Sequence, residues 1–245
     1  MGGNRKVSAG KFLRNFILDL LFPEYCLVCG SFLFLDHSYI ACNNCWESYF
    51  KEFKGKKCST CGYPLKLKPG TAYSCRDCLE TGRSFSFDGV EYFGIYSDLI
   101  DLAIKTLKFE KKLPVGWKIG ETIKEHIQKY IYQTKVDCVI PVPLHKEELK
   151  ERGFNQCEEI LKGAEISFVR GIKKAYKVER QSSLPLEKRV ENIKGIFEVV
   201  EKVWGKRILL FDDVFTTGST VNEISRVLKE NGASKVFVYS VARSI

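Results

Sequence analysis

The sequence predicts an α/β fold: a mostly parallel sheet flanked by helices and preceded by a small, metal-held domain. Three observations carry this. Eight of the ten cysteines fall in four CxxC pairs between residues 26 and 78. From residue 89 onward, short apolar runs rich in β-branched residues alternate with segments of helical periodicity, the pattern of a parallel sheet covered on both faces. Near the C-terminus the run ILLF (208–211) leads into two aspartates, a cluster of small hydroxyl residues and a helical segment.

The totals agree. A chain of 245 residues accommodates one core domain of roughly 150 residues and a small companion. With 44% hydrophobic and 28% charged residues, the composition is that of an ordered soluble chain and excludes a disordered one. The formal net charge is +9, of which +5 falls in residues 1–86 (12 Lys/Arg, 7 Asp/Glu). Eight thiolates on two zinc ions would lower the total to about +5, which weakens any inference of an acidic partner.

Taken in order, residues 11–22 read as an amphipathic helix with Phe12, Phe16, Leu20 and Leu21 on one face, ended by Pro23. The segment is short and holds Arg14 and Asp19, so it is neither a signal peptide nor a membrane span. Residues 23–84 form the cysteine-rich domain, which lacks long periodic segments and cannot hold itself together by an apolar core alone. Residues 85–245 form the larger domain. GVEYFGIY (89–96) reads as a strand, 98–109 and 115–131 as helices, and KVDCVIPV (135–142) as a buried strand with Cys138 in the core. PLHKEELKERGFNQ follows, with a helix to about Gly163. ISFV (166–169) reads as a short strand, 173–185 as a basic mobile loop, 186–192 as a helical turn and 195–200 as a strand. Then come a strand (207–211), a loop (212–218), a helix (219–231) with Gly232 at its C-terminus, and a last strand (235–242).

The four pairs are Cys26/Cys29, Cys42/Cys45, Cys58/Cys61 and Cys75/Cys78, separated by 12, 12 and 13 residues. No secretory leader precedes them, and in a reducing compartment such pairs favour metal over disulfides. Cys29 and Cys61 are each followed by glycine, whereas Cys45 and Cys78 are not, so the unit CxxCG–loop–CxxC repeats with a period of about 32 residues. The simplest assembly is two tandem zinc ribbons, with Cys26, Cys29, Cys42 and Cys45 on one ion and the other four cysteines on the second. A cross-braced pairing fits the spacing nearly as well. Either way each site is closed, so the two zinc ions are structural. A redox CxxC ordinarily uses one exposed pair on a βαβ frame, not four. Between the ribbons, Lys51, Lys54, Lys56 and Lys57 interleave with Tyr49, Phe50 and Phe53. That pattern suits a single strand of nucleic acid, and it suits a solvated linker equally well.

In ILLFDDVFTTGST (208–220) the acids stand at the C-terminal end of a buried strand, where open α/β sheets place their ligands. Thr216, Thr217, Gly218, Ser219 and Thr220 lead into a helix whose first N–H groups favour a phosphate. Asp212 and Asp213 are placed to accept hydrogen bonds from vicinal hydroxyls, and Mg²⁺ can share the substrate oxygens. A plain capped helix accounts for one of these residues but not for two acids and five small polar residues in this order.

The stretch resembles the phosphoribosyl diphosphate (PRPP) loop of type I phosphoribosyltransferases, with Asp–Asp in place of the common Glu–Asp. This resemblance assigns Asp212 and Asp213 as catalytic, with Val214, Thr216, Thr217, Gly218, Ser219 and Thr220 around the ligand. From Phe22 to Arg243 the chain resembles the ComF family, competence-associated phosphoribosyltransferase-like proteins with an N-terminal zinc ribbon. The marks are FPEYCLVCG, IKTLKF (104–109), VIPVPLHKEELKERGFNQ (139–156), QSSLPLEKRVENIKGIF (181–197) and the PRPP loop. The resemblance implies a diphosphate turn at Val142, Pro143, Leu144, His145 and Lys146, with Arg152 nearby. It also implies a flexible loop carrying Gln181, Arg189 and Asn192.

Three functions follow as expectations. The first is a ComF-like protein that binds PRPP with Mg²⁺ and single-stranded DNA and assists DNA uptake in natural transformation. Its partners would be competence helicase or recombination proteins, and its place the cytoplasm, free or peripheral to the inner face of the membrane. The second is an active phosphoribosyltransferase, driven by positioning and charge stabilisation as diphosphate leaves. The third is a non-catalytic PRPP sensor. The chain ends a few residues after the last strand, so a hood over the acceptor is expected from residues 1–110, and no base-recognition element is legible there.

Overall fold

The computed structural model describes residues 23–33, 40–65, 74–175 and 195–245. The amphipathic segment 11–22, the turn 186–192 and Gln181, Arg189 and Asn192 lie outside the described residues.

The cysteine-rich segment is a repeat in structure as well as in sequence. In each half the first CxxC pair makes a knuckle closed by a glycine at positive φ, Gly30 (73°) and Gly62 (70°), whose N–H donates to the carbonyl of the leading cysteine. Isolated antiparallel bridges, Tyr25 to Phe32 and Lys57 to Pro64, flank the knuckles. The second pair starts a short helix in each half. Cys42 caps α1 (Asn43–Tyr49) and Cys75 caps α2 (Arg76–Thr81).

The rest is built on β1 (Gly89–Ile95), β2 (Cys138–Pro141), β5 (Arg207–Phe215) and β6 (Lys235–Arg243). They form one four-stranded sheet in the order β1-β6-β5-β2, and every pair is parallel. The strand period of two splits the core. Leu209, Phe211, Tyr239 and Val241 pack on the face covered by α3 (Asp98–Phe109), α4 (Leu113–Thr134) and α6 (Gln156–Gly163). Ile208, Leu210, Val236 and Val238 pack on the other face, with α7 (Ser219–Glu230). Helix α5 (Lys146–Arg152) follows β2, and a small antiparallel pair, β3 (Ile172–Lys174) with β4 (Phe197–Val199), adds to the α7 side.

Four expectations are corrected. ISFV (166–169) is not a strand. Ile166 and Phe168 are apolar because they pack against the core, and Val169 N–H donates to the Val139 carbonyl (2.9 Å) without continuing a ladder. The strand comes later, at Ile172–Lys174, so Lys173 and Lys174 belong to β3 and not to a loop. The segment between β2 and Gly163 is two helices, because Gly153 at φ 87° ends α5 and Asn155 caps α6. Finally, β5 runs to Phe215, so Asp212 and Asp213 are strand residues and the loop is only 216–218.

The ribbons are joined to the sheet. Cys26, Cys45, Trp46 and Phe50 share a core with Leu107, Ile123 and Leu209, and Trp46 Nε1 donates to Thr122 Oγ1 of α4 (2.8 Å). The linker between the ribbons runs along β1. Phe53 N–H donates to the Phe93 carbonyl (2.7 Å), Phe53 stacks on Tyr92, and Lys57 pairs with Glu91. The interleaved basic and aromatic residues of the linker divide between packing and surface. Phe50 is buried, Phe53 and Lys57 are used in packing, and Tyr49, Lys51, Lys54 and Lys56 stay exposed.

Candidate functional site

Two clusters carry chemistry. The eight cysteines gather in tandem, Cys26, Cys29, Cys42 and Cys45 in one group and Cys58, Cys61, Cys75 and Cys78 in the other, with the ligand atoms of each group within 4.8 Å of one another. This decides between the two pairings the spacing allowed. Sulfurs around one tetrahedral zinc stand about 3.8 Å apart. Cys29 and Cys42 Sγ lie 3.8 Å apart, and Cys61 and Cys75 Sγ 3.6 Å. Within each site the thiols are shifted in opposite directions: burial and the neighbouring thiols raise Cys45, Cys61 and Cys78, whereas hydrogen bonds lower Cys29 and Cys58. Burial works to raise Cys58, but backbone N–H groups of Cys75, Cys61 and Thr60 outweigh it and bring the thiol down to about 6. The Ser31 hydroxyl and backbone bring Cys29 to about 6 as well. The two Cys₄ sites are zinc-ribbon sites, and their zinc is structural because all four positions are filled by protein.

The second cluster lies at the C-terminal ends of β2 and β5. Pro141 pairs with Phe211, and Val142 N–H donates to the Phe211 carbonyl (2.9 Å), so the turn 142–146 stands beside the two acids of β5 at one level. Asp213 is 4% exposed. Gln156 Nε2 donates to its Oδ1 (3.0 Å), and Lys108 forms an ion pair with Oδ2. Asp212 is half-buried, and its Oδ1 accepts the Asp213 N–H (2.9 Å). Burial first, and then the neighbouring charge of Asp213, push the Asp212 carboxyl up to about 8, with Lys108 acting the other way. The fully buried Cys157 thiol lies beside the pair, and burial raises it well above the ordinary thiol range, so it is an inert neighbour.

Beyond β5 the chain turns through Thr216, Thr217 and Gly218 into α7. Gly218 sits at φ 78°, and a Cβ there would meet the Phe215 ring at 2.5 Å and Phe85 at 3.2 Å. Glycine is therefore required both by conformation and by space. Thr217 Oγ1 lies 2.9 Å from Ser219 Oγ and accepts the Ser219 N–H. Thr216 is exposed, while Val214, Thr217, Ser219 and Thr220 are half-buried. The loop is braced from behind by Arg243, whose Nη1 donates to the carbonyls of Phe215, Thr216 and Ser244 while the guanidinium lies 4.8 Å from the Phe215 ring and 5.9 Å from Tyr63.

The diphosphate-turn residues fall into different roles. His145 caps α5, its ring accepting the Glu147 N–H while Glu148 reaches back to the His145 N–H. Arg152 donates to Gln156 Oε1, which orients the amide toward Asp213. Asn155, which the sequence reading passed over, donates from Nδ2 to the Val142 carbonyl (3.0 Å). Lys108, Gln156 and Arg243 were missed as well. Lys108 stands in IKTLKF, and Asn155 and Gln156 in RGFNQ, so the motifs were visible while their targets on β5 and the turn were not.

The double zinc ribbon domain family matches residues 17–79. Competence protein F of Haemophilus influenzae is 28% identical over 83% of this chain and 90% of its own length. Competence protein ComFC of Streptococcus pneumoniae is 25% identical over 89% and 99%. The chain is a homologue of proteins named competence protein F and ComFC. The DNA utilization protein YhgH of Escherichia coli K12 is a further relative, 26% identical over 92% of this chain and all of its own length. Among solved structures, the glutamine PRPP amidotransferase of B. subtilis complexed with ADP and GMP is similar over 56% of this chain and 30% of that one (19% identity, TM-score 0.35). A hypoxanthine phosphoribosyltransferase from Staphylococcus aureus is similar over 53% and 74% (11% identity, TM-score 0.33). Among the described residues no helix is long and apolar enough to cross a membrane.

Proposed function

We propose that this ComF homologue binds PRPP, with Mg²⁺ on the diphosphate, at the C-terminal ends of β2 and β5, and handles single-stranded DNA during uptake in natural transformation. The observation that carries the ligand reading is the strand–turn–helix at 207–230, in which two carboxylates and a glycine at φ 78° meet the start of a 12-residue helix. In this reading the N–H groups of the first helical turn, which have no partner within the helix, take the 5-phosphate. The acids take the ribose hydroxyls, and the turn 142–146 takes the diphosphate. Exposed Tyr25, Phe32 and Tyr49 with Lys51, Lys54 and Lys56 support the nucleic-acid reading, since stacking rings and cations together hold single strands. Competence helicase or recombination proteins are the expected partners in the cytoplasm or at the inner face of the membrane.

Calorimetric titration with PRPP and Mg²⁺ tests the site. The Asp212→Ala/Asp213→Ala double variant is expected to lose binding and keep two zinc ions per chain. Unimpaired binding in that variant would remove the assignment. Fluorescence anisotropy with a labelled single strand is expected to show affinity falling steeply with salt. A diphosphate-release screen across bases and amines separates binding from phosphoribosyl transfer.

A further inference from the structure

The two adjacent carboxylates are not equivalent in their surroundings. Asp213 is almost wholly buried, and both its oxygens are engaged by protein groups from different helices, Oδ2 by Lys108 of α3 and Oδ1 by Gln156 of α6. Asp212 is more exposed, and its one hydrogen bond to the backbone comes from the Asp213 N–H. Two carboxylates so close repel each other, and an adjacent cation lowers that cost. Among the described residues Lys108 is the cation in contact with the pair.

We propose that Asp213 is an anchor, held by Lys108 and Gln156 away from the ligand, and that Asp212 alone presents its oxygens to the sugar hydroxyls. This rests on the ribose-phosphate reading above and divides the labour within it. Holding Asp213 also holds its N–H, and that N–H fixes the Asp212 carboxylate. Lys108 and Gln156 are therefore positioning residues for Asp212, acting at one remove. Arg152 extends the chain by orienting the Gln156 amide, while Asn155 next to it grips the Val142 carbonyl. One short stretch, 152–156, thus ties the sugar end of the site to the diphosphate turn.

The test uses the full zinc-loaded chain and two probes, ribose 5-phosphate and 2-deoxyribose 5-phosphate, which share the phosphate and differ by one hydroxyl. Wild-type protein is expected to prefer the ribose form. Asp212→Ala should erase that preference, because the discriminating acceptor is gone. Asp213→Asn should keep it. Lys108→Met should weaken ribose 5-phosphate by about tenfold, the scale of one hydrogen bond to a charged group, and weaken the deoxy form less. Lys108→Arg should restore the preference, which a merely structural lysine would not require. Gln156→Leu is an independent arm should Lys108→Met fail to fold, and the same selective loss is expected. Equal loss of preference in Asp212→Ala and Asp213→Asn overturns the division of labour, as does unchanged preference in both Lys108→Met and Gln156→Leu. Failure of the wild type to bind either sugar phosphate is a different result. It removes the ligand reading itself, and the inference with it.

Discussion

Gly218 shows how much one backbone position can govern. Any side chain there must adopt a left-handed conformation and enter the space of Phe215 and Phe85. Gly218→Ala is expected to lower stability by about 1–3 kcal/mol and to weaken phosphate binding, checked by urea unfolding and by titration with inorganic phosphate. Asp88 supports a pH prediction. Burial works to raise its carboxyl, but hydrogen bonds from Lys229, Lys235 and the Val236 N–H prevail and hold it below its ordinary value. A carboxylate with a lowered folded-state pKa contributes stability above its unfolded pKa of about 4 and loses it as pH falls through the folded value. Urea midpoints should therefore drop on acidification below about pH 4, and Asp88→Asn should remove that part of the dependence while lowering stability at neutral pH. His126 acts in the same direction at higher pH. Burial holds its imidazole below the usual range, against the pull of Glu91 and Glu52. The unfolded chain takes up the proton first, so stability falls as pH drops through about 6.5 toward the folded value.

At the scale of elements, α4 and α6 cross on glycines. A Cβ on Gly120 would strike the Ile160 carbonyl and the Ala164 N–H, and one on Gly163 would strike the Trp117 backbone. Gly120→Ala gains helix propensity yet is expected to destabilise the chain by about 1–3 kcal/mol, read from denaturant midpoints. Elements with strong local signals were legible in the sequence. The helix over 98–109 emerged with the bounds its periodicity gave, and β1 within one residue, because burial of one face writes a regular pattern into the chain. ISFV misled because packing against a core selects the same residue types as a strand. Ile172–Lys174 was hidden because two of its three residues are lysines, one pairing with Glu198 and the other with Glu148. In the site, the acids, the glycine and the hydroxyls were legible because they adjoin in sequence. Lys108, Gln156 and Arg243 were not, since each earns its role from a partner 27 or more residues away that only the sheet order brings near.

On the scale of the whole molecule, the two zinc sites are embedded differently. The first shares the core of the α3, α4 and α6 face, whereas the cysteines of the second form their own cluster with Leu65 and Phe85. Cys42→Ser and Cys75→Ser are each expected to release one of two zinc ions, measured by a colorimetric chelator after denaturation. The first substitution should lower the melting temperature of the entire chain by about 5 °C or more. The second should act chiefly on the phosphate loop, because Tyr63 and Phe85 lie against Arg243 and Gly218, and should therefore weaken PRPP binding more than it lowers the melting temperature.

The linker between the ribbons has a consequence for how this chain avoids its own kind. Strand β1 is an edge of the sheet, and an uncovered edge offers unpaired amides and carbonyls to any passing strand. Residues 51–57 lie along it, close enough that a Cβ on Gly94 would meet the Lys51 carbonyl at 2.6 Å, with Phe53 and Lys57 pinned to Tyr92 and Glu91. The ribbons are thus the two clasps of a guard rail. A fragment cut to residues 85–245 would bare its edge, and the fault to look for during its purification is self-association into β-rich aggregates.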